Sequence, residues 1–170
     1  MQSFVNTVDL QHGRDWLGTP VELSSWLAET GLSAPPELTT SDLQRAIELR
    51  EALRALLRAN NGEPLAADAV ARVNLAAAAA HLAIELDPSG RVVLEPYGRG
   101  VDAALGAIVG VALTAILDGS WTRLKACPNC SWAFHDYSRN RSARWCSMQL
   151  CGNRLKTGGY RRRKRGTERA

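Results

Sequence analysis

The sequence predicts an α+β fold that is mainly α-helical, with a helical N-terminal domain carrying a small β-hairpin or sheet, followed by a C-terminal four-cysteine module. Three observations predict this fold. Apolar residues recur at helical spacing along most of the first 122 residues. One turn-forming run, Asp87-Pro88-Ser89-Gly90, separates two strand-like segments. All four cysteines lie between positions 127 and 151 of the 170 residues.

Capping signals mark the first two helices. Thr19 is the expected cap of the first, with Pro20 at its first position and Glu22 completing a capping box, and Gly31 ends it. The second helix is predicted to begin near 41–42 and to end at 60–62. Its buried stripe is predicted to consist of Leu43, Ile47, Leu53, Leu56 and Leu57.

The remaining elements follow from composition and periodicity. An alanine-rich helix is predicted after Pro64 through Ala80, and the strands at 83–86 and 91–95. An apolar helix from about Val101 to Leu117 is expected at the centre of the fold. Residues 4–8 are short and β-branched in character, so we expect a strand or an extended segment there.

The same apolar helix bears on localisation. It is too short to span a bilayer comfortably, and the opening MQSFVNTVDL lacks the basic and apolar regions of a signal peptide. We therefore expect a cytoplasmic protein without a membrane partner.

Charge divides the chain into two parts. Residues 1–122 carry 8 Lys and Arg against 15 Asp and Glu, a net charge of −7, whereas residues 123–170 carry 13 against 2, a net charge of +11. The overall charge of +4 hides this division. A strongly basic segment joined to an acidic one favours a polyanionic partner for the basic part.

The cysteine spacing predicts a metal site. Cys127 and Cys130 form a C-x2-C pair, and after fifteen residues Cys146 and Cys151 form a wider pair. Two such pairs match four-thiolate structural zinc sites, and the wider spacing suggests that the second pair straddles a helical turn. We predict one structural Zn²⁺, with an apolar shell built from Trp132, Phe134, Tyr137 and Trp145.

Other roles for these cysteines are less favoured. No thioredoxin-like βαβ pattern precedes Cys127 and Cys130, which argues against a redox pair, and four thiolates leave no place for His135 as a ligand. A catalytic zinc would need an open coordination position and a nearby base. Because no serine or cysteine lies in a nucleophile motif either, we predict that the protein is not an enzyme.

Ligand candidates in the N-terminal part are few. Arg50, Arg54 and Arg58 share one stripe of the second helix, for which we expect a solvated face, with an anion or carboxylate site between helices as the alternative. His12, near Asp15 and Trp16, could line a small-molecule pocket or be an ordinary loop residue. Asn6 could reach a ligand or satisfy backbone groups. The candidate pocket residues are therefore Asn6, His12, Arg50 and Arg54.

The basic segment also resembles a known family. The stretch from Cys127 to Arg165 resembles the CGNR zinc finger, whose tetrapeptide stands here at 151–154, and the runs SRNRS at 138–142 and RWCSM at 144–148 agree with it. The preceding region, from residues 4–7 through residues 49–54, is similar to the ABATE domain usually found before that finger. The combination implies a bacterial, stress-induced transcription regulator. The C-x2-C pair departs from the longer spacing of the family, which affects knuckle geometry more than metal binding.

We predict a zinc-dependent nucleic-acid-binding protein, specifically a bacterial DNA-binding transcription regulator. Its helical domain at 1–122 would sense a small-molecule effector or form a homodimer, its finger with basic tail spans 123–165, and a disordered end follows at 166–170. The alternatives are an RNA- or ribosome-associated zinc protein and a zinc-stapled protein-interaction module. The residues predicted to contact nucleic acid are Arg139, Asn140, Arg141, Arg144, Asn153, Arg154, Lys156, Arg161, Arg162, Arg163, Lys164 and Arg165.

Overall fold

The computed structural model describes residues 1–33 and 37–153. The helices in this part of the chain are α1 (Gln2–Val5), α2 (Pro20–Glu29), α3 (Thr40–Ala59), α4 (Ala67–Ala79) and α5 (Val101–Leu117). The strands pair in antiparallel couples: β1 (Val8–Asp9) with β2 (Arg14–Asp15), β3 (Leu82–Leu86) with β4 (Val92–Pro96), and β5 (Leu124–Ala126) with β6 (Ala133–His135).

The core lies where α3, α4 and α5 pack together, with α1 and α2 lying against α3. Leu53 and Leu57 of α3 are fully buried, as is Val109 of α5. Leu23 and Leu27, on the apolar face of α2, pack in the same core. Burial of such side chains stabilises each by about 1.5–3 kcal/mol relative to exposure, which makes this cluster the main stabilising feature of the N-terminal part.

The hairpin of β3 and β4 packs on α5 at a very short distance. A Cβ atom at Gly106 would lie 2.3 Å from the Cβ atom of Ala80 and 3.0 Å from that of Pro96. Only glycine allows this approach, so the small residues of α5 serve helix and hairpin packing. The centre of α5 is buried as expected, whereas its last turn ends with Leu117 exposed.

The predicted caps are present with one change. Thr19 accepts a hydrogen bond from the Glu22 N–H, as predicted, but the Glu22 carboxylate accepts from the Thr19 hydroxyl and the Gly18 N–H rather than from the Thr19 N–H. Helix α3 begins slightly earlier than predicted, because Thr39 and Asp42 form a complete capping box. The four predicted helices and the hairpin are otherwise confirmed.

The N-terminal segment differs from the expected strand. Phe4 and Val5 lie on the single helical turn α1, and only Val8 and Asp9 are extended. Both α1 side chains are fully buried, and the Phe4 ring packs 5.3 Å from that of Trp26. Tertiary burial of one face therefore overrides the local β-propensity of this segment.

The arginine stripe of α3 is also different from the sequence prediction. Arg50 and Arg54 are only 3% and 2% exposed, so the expected solvated face is wrong at these positions. Arg50 forms a bidentate pair with Asp15, with N–O distances of 2.8 and 2.7 Å. Burial would raise the pKa of Asp15, but the bonds from Arg50 hold it below its usual value. A buried guanidinium is tolerated because partners satisfy its donors.

Arg54 joins two distant parts of the chain. Its guanidinium donates to the carbonyl oxygen of Val5 at 2.6 Å and to that of Ser131 at 2.7 Å, while its Nε donates to Glu51 at 2.9 Å. These bonds link α1, α3 and the cysteine-bearing segment in one network.

In the part of the chain that is described, no helix is both long enough and apolar enough to cross a bilayer.

We expect Arg54→Met to lower the free energy of unfolding by about 3 kcal/mol, because two buried carbonyls lose their donor at about 1–3 kcal/mol each. Arg72→Met is the matched control, since Arg72 is 47% exposed and pairs with Glu48 on the surface. The control should cost less than about 1 kcal/mol. Urea unfolding of the zinc-loaded proteins measures both, and equal losses would contradict the assignment.

Candidate metal centre and nucleic-acid interface

The first cysteine pair lies on a tight turn between β5 and β6, residues 127–131, which we call the knuckle loop. The Cys127 N–H donates to the Trp132 carbonyl at 3.0 Å, and the Ser131 N–H donates to the Cys127 carbonyl at 2.8 Å. Ser131 has φ +62°, a left-handed conformation uncommon outside glycine. This turn brings both sulfurs of the pair to one side of the hairpin.

The second pair is spaced by a single π-helical turn, Met148–Gly152. The Ser147 side chain caps this turn by accepting from the Leu150 N–H. Cys146 precedes the turn and Cys151 lies on it, which confirms the prediction that the wider pair straddles a helical turn. Gly152 lies close to the Met148 side chain: a Cβ atom there would be 2.7 Å from the Met148 sulfur, the flexible end of a half-exposed side chain.

The four cysteine sulfurs converge. All of them lie within 4.8 Å of one another. The Sγ atoms of Cys130 and Cys146 are 3.5 Å apart, and those of Cys146 and Cys151 are 3.7 Å apart. A tetrahedral Zn²⁺ with bonds of about 2.3 Å would place its sulfur ligands about 3.8 Å apart. The donor set therefore fits a tetrahedral thiolate site.

The electrostatics of the cluster point to a cation. Burial is the main cause that raises the pKa of the Cys130 thiol to about 11 and also raises that of Cys146. The neighbouring cysteine sulfurs add to the increase, because they disfavour a further negative charge. Burial acts in the same direction on Cys127, but the N–H groups of Cys146, Cys130 and Asn129 lower its pKa. Several thiolates can share this space only with a metal ion between them.

The cluster thus fits one structural zinc ion. The four thiols fill a tetrahedron, and among the described residues no histidine or carboxylate joins them. A closed set of this kind cross-links the chain rather than presenting a reactive position. Zinc, when bound, would supply a rigid link between the knuckle loop and the π-helical turn.

The apolar shell of the cluster is smaller than expected. Phe134 and Trp145 pack against the cysteines, as predicted. Tyr137 is 87% exposed and does not belong to the shell; its ring centroid lies 4.4 Å from that of His135, with the two rings tilted by 47°. Trp132 faces a cleft at the edge of the N-terminal part instead. Alternation along β6 and its continuation explains the position of Tyr137, three residues after Phe134, whereas Trp132 precedes the strand and follows the geometry of the turn before it.

Asparagines dock the cysteine module onto the helices. Asn6 exchanges two hydrogen bonds with the backbone of Ala133, at 2.9 and 2.7 Å. Asn60 donates to the carbonyls of Trp121 and Leu124. Each amide replaces a backbone partner that the short strands β5 and β6 lack at their edges.

Further contacts come from the end of α3. Asn61 donates to the carbonyls of Ala126 and Arg144, and Arg58 donates to the Ser131 hydroxyl at 2.5 Å. Together with Arg54, these side chains fix the orientation of the module relative to α3. Sequence reasoning missed them, although the Asn-Asn-Gly run at the helix end was a signal that something besides a turn was specified.

A buried ion pair organises the segment that follows β6. Lys125 donates to the Asp136 carboxylate at 2.7 Å, and Asp136 is fully buried. Burial alone would raise the pKa of Asp136, but the hydrogen bonds from Lys125 and Ser138 hold it well below its usual range. The Lys125 ammonium also donates to the carbonyls of Arg141 and Ala143. The loop at 136–144, which we call the basic loop, is folded around this pair.

The basic loop presents its polar side chains to solvent. Arg139, Asn140, Arg141 and Arg144 are exposed, as is Asn153 beyond the π-helical turn. The Arg141 carbonyl accepts a hydrogen bond from Lys125, and the Arg141 side chain donates to the Thr122 hydroxyl at 3.0 Å. The predicted nucleic-acid residues Arg154, Lys156, Arg161, Arg162, Arg163, Lys164 and Arg165 lie outside the described residues.

The four residues predicted to line a ligand pocket do not come together. Asn6 lines the Trp132 cleft, while Arg50 and Arg54 are buried in the network described above. His12 lies in an exposed turn, where it bonds Asp9 at 2.6 Å. The prediction that these four residues line one pocket is therefore wrong, because the two arginine side chains form hydrogen bonds with other groups of the protein. Trp16, a neighbour of His12 in the sequence, does line the cleft.

Comparison with known proteins gives two family matches. Residues 2–119 match the model of ABATE, described as "putative stress-induced transcription regulator", and residues 123–164 match the model of the CGNR zinc finger. A comparison with curated proteins found no match.

We expect one zinc per chain, and we expect Cys151→Ser to reduce this stoichiometry because a hydroxyl is a poor replacement for a thiolate ligand. Asn129→Ala is the matched control: it removes a hydrogen bond of 3.4 Å to the Cys151 sulfur but keeps all four thiols, so zinc should be retained. Elemental analysis of purified protein measures the metal content. Full zinc occupancy in Cys151→Ser would show that the four-thiol assignment is wrong.

Proposed function

Because the chain belongs to the ABATE family and carries a CGNR zinc finger, we propose that it is a zinc-dependent DNA-binding transcription regulator. In this proposal the zinc finger contacts DNA, and the helical domain holds the zinc finger in place. The role is one of binding rather than catalysis, acting in the bacterial cytoplasm under stress.

The observation that carries the proposal is the basic loop. It exposes Arg139, Arg141 and Arg144, and the one carboxylate in the sequence between residues 123 and 153 is Asp136, which is fully buried. The exposed surface of this segment is therefore cationic without acidic side chains to neutralise it. Such a surface is the electrostatic footprint of a protein that binds phosphate backbones.

Preorganisation supports the same proposal. The buried pair of Lys125 and Asp136 fixes the loop backbone before any partner arrives, so little conformational entropy is lost on binding. Asn140 and Asn153 are exposed beside the arginines and carry the amide groups that pair with adenine edges in the major groove. Arginines would position the finger on phosphates, and the asparagines would add sequence preference.

Charge also favours one orientation on DNA. The segment 1–122 carries a net −7 and the segment 123–170 a net +11. The acidic helical part is repelled by phosphates, so the basic face would approach DNA first. The cationic tail after residue 153 would add affinity that depends on salt more than on sequence.

We expect Arg144→Gln and Arg139→Gln each to weaken duplex binding several-fold. Each should also make the slope of log K against log salt less negative by about one, because one phosphate contact is lost. If six cations contact phosphates, the slope of log K against log salt should be about −5 for the unmodified protein. Arg91→Gln is the matched control, since this arginine is 82% exposed on the turn between β3 and β4 and does not belong to the basic loop.

The measurement is a salt titration of the full-length, zinc-loaded chain with three probes: random duplex DNA, duplexes selected from a random pool, and single-stranded RNA. The proposal requires a selected duplex to bind far more tightly than random DNA. Preferential binding of RNA would favour an RNA- or ribosome-associated role. Absence of binding to all three would favour a protein-interaction module.

A further inference from the structure

A cleft opens where α1 and α2 meet the zinc finger. Its volume is about 820 Å³, enough for a drug-sized organic molecule. Three of the five tryptophans of the chain line it, Trp16, Trp26 and Trp132, and they come from three separate segments. The remaining lining residues are Gln2, Ser3, Asn6, Thr7, Glu22, Ser25 and Glu29.

Among the residues that the structure describes, the charged residues lining the cleft are of one sign. Glu22 and Glu29 are the two ionisable ones, and no lysine, arginine or histidine in this part of the chain joins them. Glu29 is the last residue of α2, where the helix dipole adds partial negative charge. One oxygen of Glu22 is occupied by the cap of α2, whereas Glu29 forms no ion pair with any residue that the structure describes.

Three of the five neutral polar side chains that line the cleft are already used. Gln2 and Asn6 bond the backbone of Ala133, and the Thr7 hydroxyl donates to the Phe4 carbonyl and accepts from Arg50. What the cleft offers a ligand is therefore aromatic surface, negative charge and the exposed hydroxyls of Ser3 and Ser25. The Arg14 guanidinium, 4.7 Å from the centroid of Trp16, already occupies one face of that ring, so the aromatic surface for a ligand comes mainly from Trp26 and Trp132.

We propose that this cleft binds an organic cation, either a quaternary ammonium or a protonated amine carrying an apolar group. Tryptophan faces attract such cations most strongly among the aromatic residues, and two carboxylates complement the charge. An inorganic divalent ion does not fit, because it prefers several oxygen ligands at short distance and gains little from indole rings.

The position of the cleft gives the ligand access to the zinc finger. Trp132 directly follows the knuckle loop, and its carbonyl accepts the Cys127 N–H. Asn6 lines the cleft and holds Ala133 in place. A molecule in the cleft would touch the N-terminal helices and the knuckle at once, and would stabilise their docking. Its role as an effector rests on the proposed regulator function, whereas its binding does not.

The test uses zinc-loaded full-length protein without nucleic acid, so its failure is distinguishable from failure of the DNA proposal. Acetylcholine is the cationic probe, and 3,3-dimethylbutyl acetate is the uncharged isostere in which carbon replaces nitrogen. Calorimetry and tryptophan fluorescence follow binding. We expect the cation to bind at least tenfold more tightly than the isostere, with saturation at one molecule per chain.

Variants locate the site. Glu29→Gln, which keeps the side-chain shape, should weaken binding of the cation at least threefold and leave that of the isostere unchanged. Glu63→Gln is the control, because Glu63 is exposed and does not line the cleft. Equal affinities for the two probes, a Glu29→Gln variant that binds the cation normally, or no saturable binding of the cation would each overturn the proposal.

Discussion

The architecture depends on the hydrogen bonds that pair the donors of the buried Arg54 guanidinium. This guanidinium is buried at the centre of the molecule and donates to two carbonyl oxygens that lie more than a hundred residues apart in the chain, those of Val5 and Ser131. A buried charge is stable only when its donors are paired, so the N-terminal turn and the knuckle loop must both be in place for α3 to keep this residue inside. The helical part and the zinc finger are therefore mutually dependent.

In the zinc finger, a metal site and a buried ion pair take the place of a hydrophobic core. Its apolar cluster consists mainly of the cysteines and two aromatic side chains, which is too little to fold alone. The metal site links the knuckle loop to the π-helical turn, and the Lys125–Asp136 pair links β5 to the basic loop. The same features that stabilise the finger hold its arginines in a fixed position, which joins folding to the proposed binding of DNA.

Local signals predicted most of the fold, since capping residues, turn residues and apolar periodicity act over a few positions. The metal ligands could be predicted because a C-x2-C pair and a second pair at suitable spacing have few other uses. Long-range polar contacts could not be predicted. Arg50 and Arg54 resemble a surface stripe in the sequence, and nothing near them indicates that carbonyls and a carboxylate from other elements enclose them. The cleft was missed for the same reason, because its tryptophans come from distant segments.

The dependence of the helical part on the zinc finger can be measured by amide hydrogen exchange with and without zinc. Removal of zinc should increase exchange in residues 123–153 and also in α1 and the last turns of α3, while the β3–β4 hairpin stays protected. The amides of Val5 and Asn6, which bond Met1 and Gln2, are the most direct reporters. An increase confined to residues 123–153 would contradict the account, because it would show that the two parts fold independently.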